Sequence, residues 1–158
     1  MMLRVVAALM IALSAAACQP SNNSASTLER SPAGLEQAPL TITTANGTRH
    51  RFTVEVARTP AQQQQGLMQR QTLAPDRGMI FPYDPPEPAS FWMKNTLIPL
   101  DMLFIRADGT IARIEANTVP LSLDPVPAGE PVASVLELAG GRAAELGIEA
   151  GARVNWSH

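Results

Sequence analysis

Lys94 and Asp101 are the charges of an otherwise apolar stretch, Phe-Trp-Met-Lys-Asn-Thr-Leu-Ile-Pro-Leu-Asp-Met-Leu-Phe-Ile, running from Phe91 to Ile105. A lysine and a carboxylate held near each other can act as an acid/base pair or clamp a polar ligand. The same two can instead form a cross-strand ion pair that only fixes a register. Such pairs are common and weak, so the scaffold reading is preferred. Trp92 and Asn95 flank the lysine. Ring, cation and amide together suit a sugar or peptide ligand, although a tryptophan in an apolar run also serves simply as core. Arg70 either grips a carboxylate or caps the helix before it. The candidate ligand-binding residues are therefore Arg70, Trp92, Lys94, Asn95 and Asp101. Lys94 and Asp101 are the catalytic candidates if the protein is an enzyme. A glycosidase would need a second carboxylate, for which Glu55, Glu87, Glu115 and Glu137 are available.

Other chemistries lack their residues. His50 and His158 are the two histidines, and no Cys or carboxylate cluster has metal-ligand spacing. Met68, Met79, Met93 and Met102 read as core filler before they read as a soft-metal site. No serine stands in a nucleophile elbow, and Gly140-Gly141 is not a phosphate loop. No cofactor is expected. The net charge is −2 with no basic run, which gives nucleic-acid binding no electrostatic support.

The elements that position Lys94 and Asp101 are read as a hairpin. Strands from Phe91 to Asn95 and from Leu100 to Phe104, joined by Thr96 to Pro99, place Lys94 opposite Asp101. Trp92 then meets Leu103, Met93 meets Met102 and Phe91 meets Phe104, each pair contributing roughly 0.2–1 kcal/mol. A second hairpin precedes it. Leu40 and Ile42 alternate with threonines, and Phe52, Val54 and Val56 alternate with polar residues. A three-residue loop, Ala45-Asn46-Gly47, sets Leu40 opposite Phe52 and requires Gly47 left-handed in a bulge. Thr59-Pro60-Ala61-Gln62 opens a short helix with a capping box. Met79 to Phe81 is a short strand ended by Pro82. Asp108-Gly109 turns the chain into a strand from Thr110 to Thr118. Pro120 to Pro131 is an extended loop, Ala133 to Leu138 a strand, Arg142 to Leu146 a helical turn, and a last strand follows Gly151. Many short strands without a long βαβ pattern predict a mainly β fold. It is read as an antiparallel curled barrel or sandwich with one or two short peripheral helices.

The N-terminus carries an address. Arg4, the apolar run from Val5 to Leu13 and the small residues Ser14 to Ala17 read as a secretory signal, residues 1–17, too short to span a bilayer alone. Cys18 follows, the one cysteine of the chain. Ala15-Ala16-Ala17-Cys18 resembles a bacterial lipobox, which implies acyl chains on Cys18, palmitate among them, and a membrane anchor. Gln19 rather than an aspartate after it resembles outer-membrane sorting. The alternative is cleavage after Ala17 and a soluble periplasmic protein. Residues 18–39 read as lipid-attachment Cys and flexible linker, spanning roughly 25 Å on average, and residues 40–156 as a single domain.

Gly66-Leu67-Met68, Arg70, Gly78-Met79-Ile80-Phe81, the motif from Phe91 to Thr96, and Ile98-Pro99-Leu100-Asp101 resemble domain of unknown function 192, an uncharacterised bacterial and archaeal family. Val135-Leu136-Glu137-Leu138, Gly141 and Gly147-Ile148 fit it too, while Ala152 stands where the family often has an acidic residue. The resemblance implies a small β-rich domain, often secreted or lipid-anchored, of no established activity. The expectation is a lipid-anchored cell-envelope protein, non-catalytic, that binds an envelope polysaccharide or peptide. The alternative is an envelope hydrolase or carbohydrate-active enzyme using Asp101 with Lys94.

Overall fold

The structure is a computed structural model and describes residues 30–157. The expected signal segment and Cys18 lie outside the described residues. Nine strands and two short helices follow in order: β1 Gln37–Thr43, β2 Arg49–Val56, α1 Pro60–Gln65, β3 Arg77–Glu87, β4 Ser90–Phe91, β5 Leu100–Ile105, β6 Ile111–Glu115, β7 Val126–Pro127, β8 Val132–Ala139, α2 Arg142–Glu145 and β9 Arg153–Trp156. Seven of them form one sheet in the order β6-β5-β8-β3-β2-β1-β9, and β4 pairs with β7 alone. β1 begins at Gln37, ahead of the expected Leu40, and Ser31 is already buried.

The first hairpin forms as the alternation requires. Leu40 pairs with Phe52. Gly47 has φ 83° and donates to the Thr44 carbonyl, while the Thr44 N–H donates to Thr48. Thr59 caps α1, and the Gln62 side chain returns to the Thr59 N–H. The Asp108-Gly109 turn joins β5 to β6, with the Asp108 carboxylate accepting from the Thr110 N–H at 2.9 Å.

One pair departs from the antiparallel rule. β3 runs parallel to β2, because residues 57–76, including α1, return the chain to the start of the sheet, as a parallel pair needs. The sheet is therefore mixed. Its two edges approach at one corner, where Thr110 bridges Arg153 and the Val154 N–H donates to Gly109 at 2.8 Å. The result is the mainly β, curled fold that the sequence predicts, a half-barrel with only two short helices. β3 also runs past Pro82 to Glu87, with its register against β8 shifting between those two residues.

Two cores result. Inside the curl lie Leu40, Ile42, Val54, Ile80, Leu103 and Leu136. On the other face Met79, Phe81, Met102, Phe104 and Val135 pack under loops that contribute Leu67, Met93 and Ala128. Every residue of β5 is buried, because both faces of that strand are covered.

The expected central hairpin does not form. β5 pairs with β6 and β8, and the residues before it make a turn beside the short β4–β7 pair. Asp101 stands opposite Leu138, and Met102 opposite Glu137 and Glu115. Phe91 does reach Phe104, as an edge-to-face contact with ring centroids 6.4 Å apart, and makes another with Phe81 at 5.0 Å. These are contacts across a core, not partners in a register.

Candidate functional site

Two turns build the surface that carries Trp92, Lys94 and Asn95. In the first, Gly66 closes α1 with φ 47°, and a Cβ there would lie 3.5 Å from the Phe81 ring. Gln69 then takes φ 63°. In the second, the Thr96 N–H donates back to Met93, and Asn95 takes φ 55°, a conformation asparagine tolerates better than most residues. The Gln69 N–H donates to the Asn95 carbonyl at 2.8 Å and locks the two left-handed turns together. Met93 points inward, and its sulfur accepts from the Thr118 hydroxyl at 3.1 Å.

With Met93 as the anchor, its neighbours Trp92 and Lys94 point outward. Trp92 is 49% exposed, and the Lys94 Nζ lies 5.0 Å from its ring centroid. This cation–π contact places the cation at the ring, and Lys94 has no ion pair with a carboxylate among the described residues. A shallow cavity of about 260 Å³ opens here, lined by Ala61, Gln64, Gln65, Met68, Trp92, Lys94 and Asn95. Its chemistry is one large aromatic face, one cation and three side-chain amides.

Asp101 is not part of it. Its side chain is fully buried at the inner end of β5. One carboxylate oxygen accepts from the Asn117 and Gly141 N–H groups, both at 2.9 Å, and the other from the Ala143 N–H at 2.8 Å. Gly141, the N-cap of α2, has no side chain to cap with. Asp101 therefore caps that helix from a neighbouring strand and ties residue 117 to it. Gly140 fits beneath because a Cβ there would come within 2.8 Å of Pro99 and 2.9 Å of Asn117. The expected pairing of Lys94 with Asp101 is thus corrected: the aspartate holds backbone and the lysine holds an indole. The Asp101 carboxylate is taken up by backbone N–H groups of residues 117, 141 and 143.

Arg70 goes to a different cavity, of about 360 Å³, where it is paired with Glu55 among Gln37, Thr53, Thr72 and Arg77. Behind this pair lies an arrangement that the registers create. Glu55 stands opposite Met79, Met79 opposite Glu137, Glu137 opposite Met102, and Met102 opposite Glu115. Directly paired residues share a face, so carboxyls and methionines alternate across the outer core. Next-nearest strands put the acids about 9–10 Å apart. Burial pushes the Glu137 carboxyl up to about 8, and the Arg70 guanidinium offsets only part of that rise. Burial, then Glu87 and Glu137, pushes the Tyr83 hydroxyl up to about 12. Asp101 faces the opposite core, with Leu103 and Leu138. The sheet therefore separates it from Glu55, Glu115 and Glu137, and none of these three makes a catalytic dyad with it.

Among the described residues no group of three or more His, Cys, Asp or Glu is placed to hold a metal ion. No described helix is long and apolar enough to cross a membrane.

Residues 41–156 match the model of domain of unknown function 192, described as an uncharacterised ACR. Two solved structures are similar. A protein of unknown function from Novosphingobium aromaticivorans DSM 12444 is 47% identical, with TM-score 0.78, over 81% of this chain and 91% of that one. A "putative transcription regulator" from Sinorhizobium meliloti 1021 is 46% identical, with TM-score 0.76, over 77% of this chain and 95% of that one. No curated protein matches.

Proposed function

From the premise that this chain belongs to the domain of unknown function 192 family, we propose a lipid-anchored protein of the bacterial cell envelope whose β-rich domain binds an envelope polysaccharide without chemistry. The observation that carries the binding is the half-exposed indole of Trp92, held beside Lys94, Asn95 and the α1 glutamines over a shallow cavity. A sugar ring stacks its apolar face on an indole while amides take its hydroxyls, and Lys94 adds preference for an anionic chain. Two interlocked left-handed turns hold the indole in place before a ligand arrives, which lowers the ordering cost of binding. The anchor reading rests on the lipobox-like residues ending at Cys18.

The hydrolase reading has no matching geometry: Asp101 is enclosed by three N–H donors, and Lys94 lies elsewhere. The regulator name borne by the Sinorhizobium relative gains no support from a net charge of −2. The test is co-sedimentation of the purified protein with peptidoglycan sacculi and a panel of soluble envelope polysaccharides. Retention that one glycan competes away supports the reading. Failure of every glycan to retain it, with a peptide ligand captured instead, would overturn it.

A further inference from the structure

Six ion pairs take up most of the arginines among the described residues: Arg58 with Glu36, Arg70 with Glu55, Arg77 with Asp76, Arg106 with Glu130, Arg113 with Glu115 and Arg142 with Glu145. Arg30, Arg49, Arg51 and Arg153 have no ion pair with a carboxylate among these residues. Three of these four stand on one side of the sheet. Directly paired residues share a face, and β2, β1 and β9 are neighbours. One row across them is Arg49, Thr43 and Arg153, and the next is Arg51, Thr41 and Asn155. Thr53, paired with Pro39 and Arg77, continues the same face. The alternate residues Leu40, Ile42, Phe52 and Val154 fill the inside of the curl. The outer core draws no buried residue from β1 or β9, so the outer face stands bare at this end. Arg49, Arg51, Arg153 and Asn155 are all exposed. A shallow hollow of about 510 Å³ runs over Pro39, Thr41, Thr43, Arg49, Arg51 and Asn155.

We propose that this arginine–threonine face is a second binding surface, for an acidic polysaccharide that carries carboxylates or sulfates along its chain. Charge selects an anion. Arg49, Arg51 and Arg153 share the face with Arg77, and the acids nearby are already engaged. Asp76 lies 3.9 Å from Arg77, and Glu55 is bonded to Arg70. The Asp108 carboxylate accepts from the Thr110 hydroxyl, while Arg153 donates to the Asp108 backbone carbonyl at 2.8 Å. Layout selects a chain. The cations are spread over an open sheet, not gathered round one small anion: the backbone positions of Arg49 and Arg51 are roughly 7 Å apart along β2, and those of Arg49 and Arg153 roughly 10 Å apart across two strand spacings. The residues between the arginines select a sugar polymer. Thr41, Thr43 and Asn155 offer hydroxyls and an amide to sugar hydroxyls, and guanidinium forks grip carboxylates and related oxyanions. The two rows hold no aromatic ring on which a nucleic-acid base stacks, and no large apolar side chain to enter a bilayer or anchor a protein interface. The hollow shares no lining residue with the Trp92 cavity. The inference therefore stands apart from the reading of that site and from any lipid anchor.

The experiment titrates the full chain with polygalacturonate, dextran sulfate, uncharged dextran and oligothymidylate, at low and at physiological salt. The expected result is binding of at least one acidic polysaccharide, weakened by salt, and none of dextran. Whichever of the two binds tells carboxylate from sulfate. Arg49→Gln, Arg51→Gln and Arg153→Gln together should weaken Kd by about tenfold or more, with circular dichroism and melting temperature unchanged. Arg49→Gln with Arg51→Gln keeps the Arg153 bond to Asp108 and should still weaken Kd several-fold. Arg106→Gln, Arg113→Gln and Arg142→Gln together remove the same charge elsewhere and should leave Kd within about twofold. Equal weakening by the two triple variants overturns the proposal. So does failure of both acidic polysaccharides to bind at low salt, or tighter binding of oligothymidylate than of either. Trp92→Ala separates the two surfaces and should leave this binding unchanged. Loss of binding in Trp92→Ala, with the arginine variants unaffected, would move the acidic chain to the Trp92 cavity and reject this face. Failure of every envelope glycan to retain the protein, with an acidic polysaccharide still bound through the arginines, would reject the Trp92 reading alone.

Discussion

Replacing Glu137 by Gln should stabilise this protein, and increasingly so as pH rises. In the folded state the carboxyl lies between Met79 and Met102 and is pushed up to about 8 by burial, whereas its ordinary value is 4.5. Between those two values the folded protein keeps a proton that the unfolded chain has released. The folded state binds more protons there, so stability contributed by this residue falls with rising pH. The full contribution is present below pH 4.5 and is lost by the time pH has passed 8. At 1.36 kcal/mol per pH unit the cost to folding is about 3 kcal/mol at pH 7 and about 5 kcal/mol by pH 9, taken as upper values. Glutamine keeps the shape of the protonated acid and carries no such cost. Urea unfolding of both proteins at pH 5, 7 and 9, followed by far-ultraviolet circular dichroism, measures the difference directly. The variant should gain little at pH 5 and most at pH 9. A difference that is flat in pH, or a variant that becomes the less stable one as pH rises, would mean that Glu137 is ionised and held by Arg70, and would refute the reasoning.

Three further outcomes are expected. Asp101→Asn leaves backbone donors of residues 117, 141 and 143 short of an acceptor and should cost about 1–3 kcal/mol in urea unfolding; loss of ligand with stability intact would instead make Asp101 a site residue. Gly47→Val forces a β-branched residue to φ 83° and should cost about 1–3 kcal/mol; an unchanged melting temperature would contradict the left-handed turn. Cys18→Ser should remove fatty-acid labelling and move the protein out of the membrane fraction, and equal labelling of both forms would contradict the anchor.

Local signals were legible in the sequence, and long-range pairing was not. The Leu40–Phe52 register, the Thr59–Gln62 capping box and the Asp108-Gly109 turn are each decided by a few adjacent residues, and each stands in the structure. The central hairpin failed for a physical reason. β5 is buried on both faces, so almost any apolar neighbour matches it and cross-strand agreement carries little information. Asp101 supplied the misleading constraint. A lone carboxylate in an apolar run looks for a cation, but three N–H groups from residues 117, 141 and 143 satisfy it as well, and nothing near it in sequence points to them. The parallel β2–β3 pair was hidden in the same way by the turn-rich segment between them. Of the five candidate ligand residues, Trp92, Lys94 and Asn95 come together, while Arg70 and Asp101 are drawn elsewhere by Glu55 and the α2 backbone. The alternating row of glutamates and methionines needs four strand registers at once. The charge inside Val135-Leu136-Glu137-Leu138 was its one visible trace.

The central claim is that the Trp92 surface binds a glycan and performs no chemistry on it. Calorimetric titration of the glycan captured on the sacculus panel, against the unsubstituted protein and Trp92→Ala, tests it most directly. The account predicts a Kd weakened by at least about tenfold in Trp92→Ala, since a stacked aromatic contributes on the order of 1–3 kcal/mol, with the melting temperature unchanged and the glycan recovered intact from both. An unchanged Kd in Trp92→Ala, or a glycan recovered cleaved after incubation with the unsubstituted protein, would contradict it.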